Sequence, residues 1–216
     1  MSHTLSEADS MALLVRHAIP SASGRVVSTA TAAAAAAEAL GFPVVVKLSG
    51  QSIAHKTERG LVRLGLTDAD AVRAASGELL ALATEADGDV GLLVAPMIRG
   101  SRELIAGLNR DPQFGMTVMV GVGGVLAEAV ADVSIRLVPI DRADAAEMLD
   151  DLATQAILGA FRGDPALDRS AMIDLLMGLS EAAMAHPELV AADLNPVIIS
   201  DGHPVAVDAL VEVESS

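Results

Sequence analysis

The 216-residue sequence lacks cysteine, tryptophan and tyrosine, and its only aromatic rings are three phenylalanines. Without cysteine the chain forms no disulfide, carries no thiolate nucleophile and offers no cysteine ligands for zinc or iron–sulfur clusters. Because 52% of the residues are nevertheless apolar, the core must be built from small aliphatic side chains. The lack of disulfides fits a reducing cytoplasm, which is the location we expect.

Basic residues are scarce as well. The sequence contains 14 Lys and Arg residues and 29 Asp and Glu residues, which gives a net charge of −15. Nucleic acids and anionic membranes are both bound through Lys and Arg, so neither is an expected partner. The most apolar run, 90–98, is much shorter than the roughly 20 residues of a transmembrane helix. The N-terminus also lacks the basic and apolar segments of a secretory signal.

The sequence contains two lysines, Lys47 and Lys56, which fall within one ten-residue stretch. A lysine ammonium is a compact charge on a flexible stem, well suited to meeting a phosphate oxygen. Lys47 follows the apolar run 44–46, where burying an unpaired ammonium would cost several kcal/mol. The side chain therefore either reaches solvent at the end of a strand or meets an anion.

Apolar periodicity predicts alternating helices and strands, and hence a compact α+β or α/β unit of two lobes that meet near Ala95. We expect an N-terminal helix and linker over 1–22, one lobe over 23–94 and the other over 95–216. Ser28 is the predicted cap of the second helix, and 67–70 form a predicted capping box for the third. The predicted helices are 6–17, 29–40, 68–83, 141–151 and 168–184. The predicted strands are 43–48, 61–66, 90–97, 103–108, 116–120, 125–128, 134–138, 189–199 and 204–210.

A polar loop after the first of the long strands has the composition of a phosphate site. His55, Lys56 and Thr57 followed by Gly60 offer an ammonium, a hydroxyl and backbone N–H groups to phosphate oxygens. The Gly-x-x-x-x-Gly-Lys-Ser/Thr pattern of a P-loop is absent. Three roles are open for the His55 imidazole: a general acid or base, a nucleophile that attacks phosphorus, or a loop residue that only forms hydrogen bonds. The other four histidines fall at termini, helix ends or turns, where a solvated ring is expected.

Oxygen donors gather near the C-terminus. Asp193 and Asn195 project from the same face of a predicted strand, and a hairpin would bring Asp208 alongside Asn195. Mg²⁺ prefers such carboxylate and amide oxygens, completed by water and nucleotide phosphates. The alternative is that Asn195, which precedes Pro196, only caps a turn.

Two further segments suggest contact between backbone and ligand. The strand 94–97 offers backbone groups that could read an adenine edge, and Glu103 follows it within reach of ribose hydroxyls. The run 121–124, which ends in Gly123 and Gly124, permits close approach of a ligand. It lacks the Gly-x-Gly-x-x-Gly spacing, so a dinucleotide-binding fold is not supported.

Eight motifs in order along residues 10–212 resemble the ATP-grasp subunit of the ADP-forming acyl-CoA synthetases, a family related to succinyl-CoA synthetase. The resemblance implies an ATP-grasp fold in which two α/β lobes hold the nucleotide in a cleft between them. The motifs are Phe42-Pro-Val-Val-Val-Lys-Leu, Ile53-Ala-His-Lys-Thr, Arg102-Glu-Leu-Ile-Ala-Gly, Arg110-Asp-Pro-Gln-Phe-Gly, Gly121-Val-Gly-Gly-Val, Asp132-Val-Ser-Ile-Arg-Leu-Val-Pro, Arg162-Gly and Asp193-Leu-Asn-Pro.

The resemblance also implies roles for individual residues. Lys47 matches the lysine on the nucleotide phosphates, Glu103 the carboxylate near the ribose, and His55 a histidine implicated in phosphoryl relay. Asn195 and Asp208 match the Mg²⁺ ligands. The hinge beside adenine is matched by Ala95, Pro96 and Met97. We also place Lys56, Gly60, Gly123 and Gly124 in the phosphate pocket.

The implied reaction interconverts acyl-CoA, ADP and phosphate with a carboxylic acid, CoA and ATP through an acyl phosphate and a phosphohistidine. The CoA site and the main phosphohistidine belong to a separate subunit or domain, so we expect a hetero-oligomer with ATP or ADP and Mg²⁺ as cofactors. One departure is Leu61, where the family usually has a second glycine; Arg59 could compensate for it. A non-catalytic nucleotide sensor and a carboxylate–amine ligase are the alternative functions.

Overall fold

The computed structural model describes residues 2–50, 53, 56, 59–124 and 131–214. The chain divides into two compact units. The larger unit consists of Met1–His3, Ser10–Ser21 and Ile98–Ser216, and the smaller unit of Thr4–Asp9 and Ala22–Met97.

The smaller unit is built on a four-stranded antiparallel sheet in the order β2-β5-β3-β4. Its elements are β2 (Arg25–Val27), α2 (Ala30–Leu40), β3 (Val44–Ser49), β4 (Val62–Leu66), α3 (Ala69–Ala81) and β5 (Gly91–Pro96). The alanine run of α2 buries four small side chains, which lets the helix lie close to the sheet. All six residues of the inner strand β3 are buried, Lys47 among them.

The larger unit contains a seven-stranded sheet in the order β1-β11-β9-β6-β7-β8, with β10 also paired to β9. The strands are β1 (Ser2–Thr4), β6 (Glu103–Asp111), β7 (Gly115–Val122), β8 (Val133–Leu137), β9 (Leu189–Ser200), β10 (His203–Ala206) and β11 (Leu210–Glu214). The helices are α4 (Arg142–Asp150) and α5 (Arg169–Ala185), while α1 (Glu7–Val15) begins in the segment grouped with the smaller unit. Leucine, methionine and alanine side chains of α5 are buried, and the helix packs against β6, β7 and β10.

The expectation of an aliphatic core is confirmed. Phe42, Phe114 and Phe161 are all exposed, so no aromatic ring contributes to either core. Leucine, valine, isoleucine, alanine and methionine fill the buried positions instead.

Two predicted caps are wrong by one residue. The second helix is capped by Thr29 rather than Ser28, because the Thr29 hydroxyl accepts a hydrogen bond from the backbone of Ala32. The third helix is capped by Asp68 rather than by a box beginning at Thr67, since the Asp68 carboxylate accepts from Ala71 N–H at 2.8 Å. In both helices the residue with the correctly placed acceptor oxygen sets the start.

The predicted strand 204–210 is also wrong, because it is two strands, β10 and β11. Both pair with β9 in the same register, with Ala206 opposite Val197 and Leu210 opposite Asp193. The ladder is interrupted beside Pro196, which has no N–H to donate. The break frees the segment 207–209 from strand geometry and places Asp208 within it.

Other predicted elements agree with the structure to within a few residues. The three-residue strands β1 and β2 were not predicted, because they are too short to show alternation. The predicted strand 125–128 lies outside the described residues. Across the described ranges, no helix is long and apolar enough to cross a membrane.

An ion pair in the smaller unit joins the exposed Arg59 to the buried carboxylate of Asp87. The Arg59 guanidinium donates two hydrogen bonds to the Asp87 carboxylate, at 2.7 and 2.9 Å. The backbone N–H and hydroxyl of Thr84 donate to the same carboxylate, whose side chain is only 3% exposed. These bonds, led by those from Arg59, hold the pKa of Asp87 well below its ordinary range.

We predict that Asp87→Asn lowers the free energy of unfolding at neutral pH, because a carboxylate with four donated hydrogen bonds is lost. Since the pKa of Asp87 is lowered by folding, its stabilisation is present above the ordinary carboxyl pKa and disappears as the pH falls. The difference from the parent should therefore shrink below about pH 4. Urea unfolding across pH measures this, with exposed Asp89→Asn as the matched control. A difference that is constant from neutral to acidic pH would contradict the prediction.

A second buried charge fixes a loop of the larger unit. Arg102 is 5% exposed, and its guanidinium donates to the backbone carbonyls of Ile157, Gly159 and Pro165. Planar guanidinium donors in a fixed fork satisfy several carbonyls at once, which an ammonium cannot do with the same geometry. Arg102 therefore attaches the 157–165 segment to the start of β6.

We predict that Arg102→Lys destabilises the chain by about 2–4 kcal/mol, because buried carbonyls lose charge-assisted hydrogen bonds. The exposed neighbour Arg99→Lys is the control and should change stability by less than about 0.5 kcal/mol. Urea unfolding compares the two. Equal stability of both variants would show that Arg102 does not hold the segment.

Candidate functional site

Lys47 and Lys56, the two lysines of the sequence, both form ion pairs with the Glu7 carboxylate in the smaller unit. We call these three residues the lysine cluster. Lys47 Nζ lies 2.6 Å from Oε1 of Glu7, and Lys56 Nζ lies 2.5 Å from Oε2. Glu7 is the first residue of α1, while Lys47 lies in the inner strand β3. The sequence left open whether the Lys47 side chain reaches solvent or meets an anion. The structure supports the second alternative, and the anion is the Glu7 carboxylate of the same chain.

The loop after β3 is described only in part. His55 and Thr57, the predicted relay histidine and its hydroxyl neighbour, lie outside the described residues. Gly60 is exposed with a φ of +68°, a conformation that favours glycine. The carbonyl of Gly60 accepts a hydrogen bond from Arg63 at 2.7 Å.

Leu61 and Arg59 have structural roles in this loop. Leu61 is 1% exposed and belongs to the hydrophobic core of the smaller unit. Its backbone N–H donates to the Lys56 carbonyl at 2.8 Å, and its own carbonyl accepts from Leu48. The Leu61 side chain therefore packs into the core, while the guanidinium of Arg59 is engaged by Asp87.

The predicted adenine hinge is the end of β5 and the residue after it. Ala95 is buried opposite Val45, and Pro96 lies opposite Val44 in β3. The N–H of Met97 donates to the Pro43 carbonyl at 3.0 Å, so the fold already uses that donor. Contacts to a base would have to use other backbone groups of this segment.

In the larger unit, three predicted site residues lie together where β6 begins and β7 ends. The N–H of Gly123 donates to the Glu103 carbonyl at 2.8 Å. Gly124 has a φ of +84°, and a Cβ there would lie 3.5 Å from Oε2 of Glu103. A side chain at Gly123 would come within 3.0 Å of the backbone of Glu103 and Leu104. These glycines therefore permit close packing beside the Glu103 carboxylate.

The predicted metal ligands lie on β9 and on the 207–209 segment that joins β10 to β11. Asp193 and Asn195 are both exposed on β9, with buried Leu194 between them. The Val207 N–H donates to the Pro196 carbonyl at 3.2 Å, which brings the 207–209 segment and Asp208 beside this part of β9. The strand alternation and the hairpin predicted from the sequence are thus both present.

Burial and a neighbouring like charge both affect the Asp193 carboxylate. The pKa of Asp193 is raised from its ordinary value, first because surrounding protein atoms remove water from the carboxylate. The like charge of Asp208 adds to the rise. Burial acts on the carboxylate even though Asp193 as a whole residue is exposed.

These oxygens fit Mg²⁺ as part of a shared coordination sphere. Within the described ranges, no three or more His, Cys, Asp or Glu side chains are grouped to hold a metal by themselves. Mg²⁺ is commonly bound through one or two carboxylates together with water and substrate phosphates. Asn195 and Asp208, with Asp193 nearby, have the oxygen atoms that such a partial donor set requires.

A wide, shallow cavity of about 880 Å³ lies elsewhere in the smaller unit. Its charged lining consists of Asp9, Asp87 and Asp89. Among the residues that the structure describes, this lining contains no Lys or Arg to attract phosphate groups, whereas the lysine cluster contains two ammonium groups.

Sequence reasoning missed Glu7 and Arg102. Glu7 is an acidic residue in the first turn of a helix, a common placement, and it precedes Lys47 by 40 residues. Nothing in the sequence pattern links the two residues. Arg102 directly precedes Glu103, and nothing in the sequence pattern indicates that its side chain is buried.

Comparison with known proteins gives concordant results. Residues 1–213 match the family described as ATP-grasp domain. Acetate–CoA ligase (ADP-forming) I of Archaeoglobus fulgidus is 37% identical over 178 residues, which are 80% of this chain but 25% of that protein. The beta subunit of acetate–CoA ligase (ADP-forming) I of Pyrococcus furiosus is 35% identical over 173 residues, which are 79% of this chain and 75% of the subunit.

Solved structures agree in fold. An acetyl-coenzyme A synthetase 1 of Ca. Korarchaeum cryptofilum, in complex with coenzyme A and Ca-AMPCP, superposes with a TM-score of 0.92 at 32% identity, covering 98% of this chain and 94% of that one. Another structure of that synthetase contains coenzyme A and Mg-AMPPCP, with its phosphohistidine segment pointing towards the nucleotide binding site. It superposes with a TM-score of 0.84 at 33% identity, covering 98% of this chain and 93% of that one. The chain therefore belongs to the ATP-grasp family, among the relatives of the beta subunits of ADP-forming acetate–CoA ligases.

Proposed function

We propose that the chain is the nucleotide-binding subunit of an ADP-forming acyl-CoA synthetase. The complete enzyme would convert acyl-CoA, ADP and phosphate into a carboxylic acid, CoA and ATP, and would also run in reverse. The observation that carries the proposal is the pairing of both lysines at one buried site in a chain of net charge −15. Nucleotide phosphates need local positive charge in such a chain, and this cluster provides it.

Phosphoryl transfer depends more on positioning and charge stabilisation than on covalent help from the protein. Lys47 and Lys56 would bind phosphate oxygens from the smaller unit. Asn195 and Asp208 would hold Mg²⁺, which when bound supplies further positive charge to the phosphates. Glu103 would bind ribose hydroxyls, and a Cβ at Gly124 would lie 3.5 Å from its Oε2 atom, so glycine leaves that space beside the carboxylate open.

The CoA site and the main phosphohistidine would belong to a partner subunit. The Pyrococcus relative is itself named a beta subunit, and the chain spans about a quarter of the Archaeoglobus relative. A partner that donates a phosphoryl group from histidine to ADP would regenerate its free histidine and form ATP.

The proposal is tested by reconstitution. The chain is mixed with a CoA-binding subunit from the same source, together with acetyl-CoA, ADP, Mg²⁺ and phosphate, and ATP is measured by luciferase. We expect ATP with both subunits and none with either alone. If nucleotide binds normally but no ATP forms with acetyl-CoA or with larger acyl-CoA substrates, the chain is a nucleotide sensor instead.

We predict that His55→Ala lowers the rate of ATP formation about a hundredfold or more, because the phosphoryl relay loses its histidine. The affinity for ADP should stay within about twofold, since binding rests on the lysines and Mg²⁺. The exposed His203→Ala is the control variant and should retain full activity. Full activity of His55→Ala would remove His55 from the reaction.

We predict that Asp208→Asn weakens the Mg²⁺ dependence of ADP binding, raising the Mg²⁺ concentration needed for half-maximal binding by about tenfold. It should also return the pKa of Asp193 towards its ordinary value, because a like charge is removed. Calorimetry and NMR titration measure the two effects, with Asp201→Asn in the exposed turn as control. An unchanged Mg²⁺ requirement would place the metal elsewhere.

A further inference from the structure

The most deeply buried member of the lysine cluster is its carboxylate. The side chain of Glu7 is 1% exposed, whereas those of Lys47 and Lys56 are 8% and 10% exposed. Of the three side chains, those of the two lysines are therefore more accessible than that of Glu7.

The position of Glu7 is fixed by the start of a helix. The Ser6 hydroxyl accepts a hydrogen bond from Asp9 N–H at 3.1 Å and so caps the first turn of α1. A carboxylate in the first turn is favoured by the helix dipole. Lys47 lies in the inner strand β3, so its backbone is held by the sheet. Both residues of the Glu7–Lys47 ion pair therefore lie in regular secondary structure.

Two ammonium groups on one buried carboxylate are interdependent. Each accounts for one carboxylate oxygen, so removing the carboxylate would leave two like charges close together in a poorly hydrated site. The two ammonium groups would move apart, because holding like charges together in a buried site without the Glu7 carboxylate is unfavourable. They would then no longer present two cations together.

We propose that Glu7 is a positioning residue that holds Lys47 and Lys56 together as a paired-cation site for the phosphates of the nucleotide. This inference rests on the proposed function, since it assumes that the lysines bind those phosphates. Glu7 does not touch the nucleotide but acts through the lysines. Its contribution should therefore grow with the number of phosphates on the ligand and be absent for adenosine.

The direct test compares Glu7→Gln with Glu38→Gln, which removes the same charge from an exposed position on α2. Affinities of ATP, ADP, AMP and adenosine are measured by calorimetry at constant Mg²⁺. We expect Glu7→Gln to weaken ATP and ADP by about tenfold or more, AMP by less and adenosine not at all. Glu38→Gln should bind all four ligands like the parent.

A second pair of variants guards against loss of folding in Glu7→Gln. Lys56→Gln leaves one carboxylate with one ammonium, and the double variant Glu7→Gln, Lys56→Gln leaves one ammonium beside two neutral amides. Both variants contain only one of the two ammonium groups, so repulsion between two lysines cannot unfold either of them. We expect the double variant to bind ADP about tenfold more weakly than Lys56→Gln, because Lys47 has lost its carboxylate.

The outcomes separate this inference from the proposed function. Equal ADP binding by the double variant and Lys56→Gln would overturn the positioning role while leaving nucleotide binding intact. A uniform loss across ATP, ADP, AMP and adenosine in a folded Glu7→Gln protein would overturn it too, because the effect would then be structural. A parent chain that binds no nucleotide would overturn both proposals.

Discussion

A charged side chain inside an apolar strand requires a counter-charge, and the smaller unit depends on this constraint. Every residue of β3 is buried, including Lys47, and the strand lies between two others in its sheet. The first residue of α1 supplies the carboxylate, reached across 40 positions of sequence. The beginning of the chain is thereby attached to the inner strand of the sheet, and Lys56 joins the same carboxylate from the following loop.

The two units contribute opposite charges to the proposed chemistry. The smaller unit contains the paired lysines, whereas the larger unit presents carboxylate and amide oxygens along β9 and the 207–209 segment. The pKa of Asp193 is raised there, first by burial of its carboxylate and then by the like charge of Asp208. The cationic side chains of the smaller unit suit phosphate groups, and the carboxylate and amide oxygens of the larger unit suit Mg²⁺.

Much of this arrangement was predictable from local patterns. Periodicity placed the long helices and strands, and alternation along β9 correctly put Asp193 and Asn195 on one face. Elements that depend on distant partners were not predictable: the three-residue strands β1 and β2 exist only through pairing, and the break between β10 and β11 arises where the neighbouring strand has a proline. Glu7 was missed for the same reason, because its partners lie far away in sequence. The roles proposed for Lys47 and Glu103 come from the family resemblance, because spacing alone left them open.

The central claim is that the buried lysine of β3 binds nucleotide phosphates, and the affinity of the Lys47→Met variant for Mg-ADP tests it most directly. Methionine keeps the length and apolar stem of lysine without its charge, and circular dichroism verifies that the variant is folded. We predict that the parent binds one Mg-ADP per chain and that Lys47→Met binds it at least about tenfold more weakly. Equal affinity of the folded variant and the parent would contradict the account.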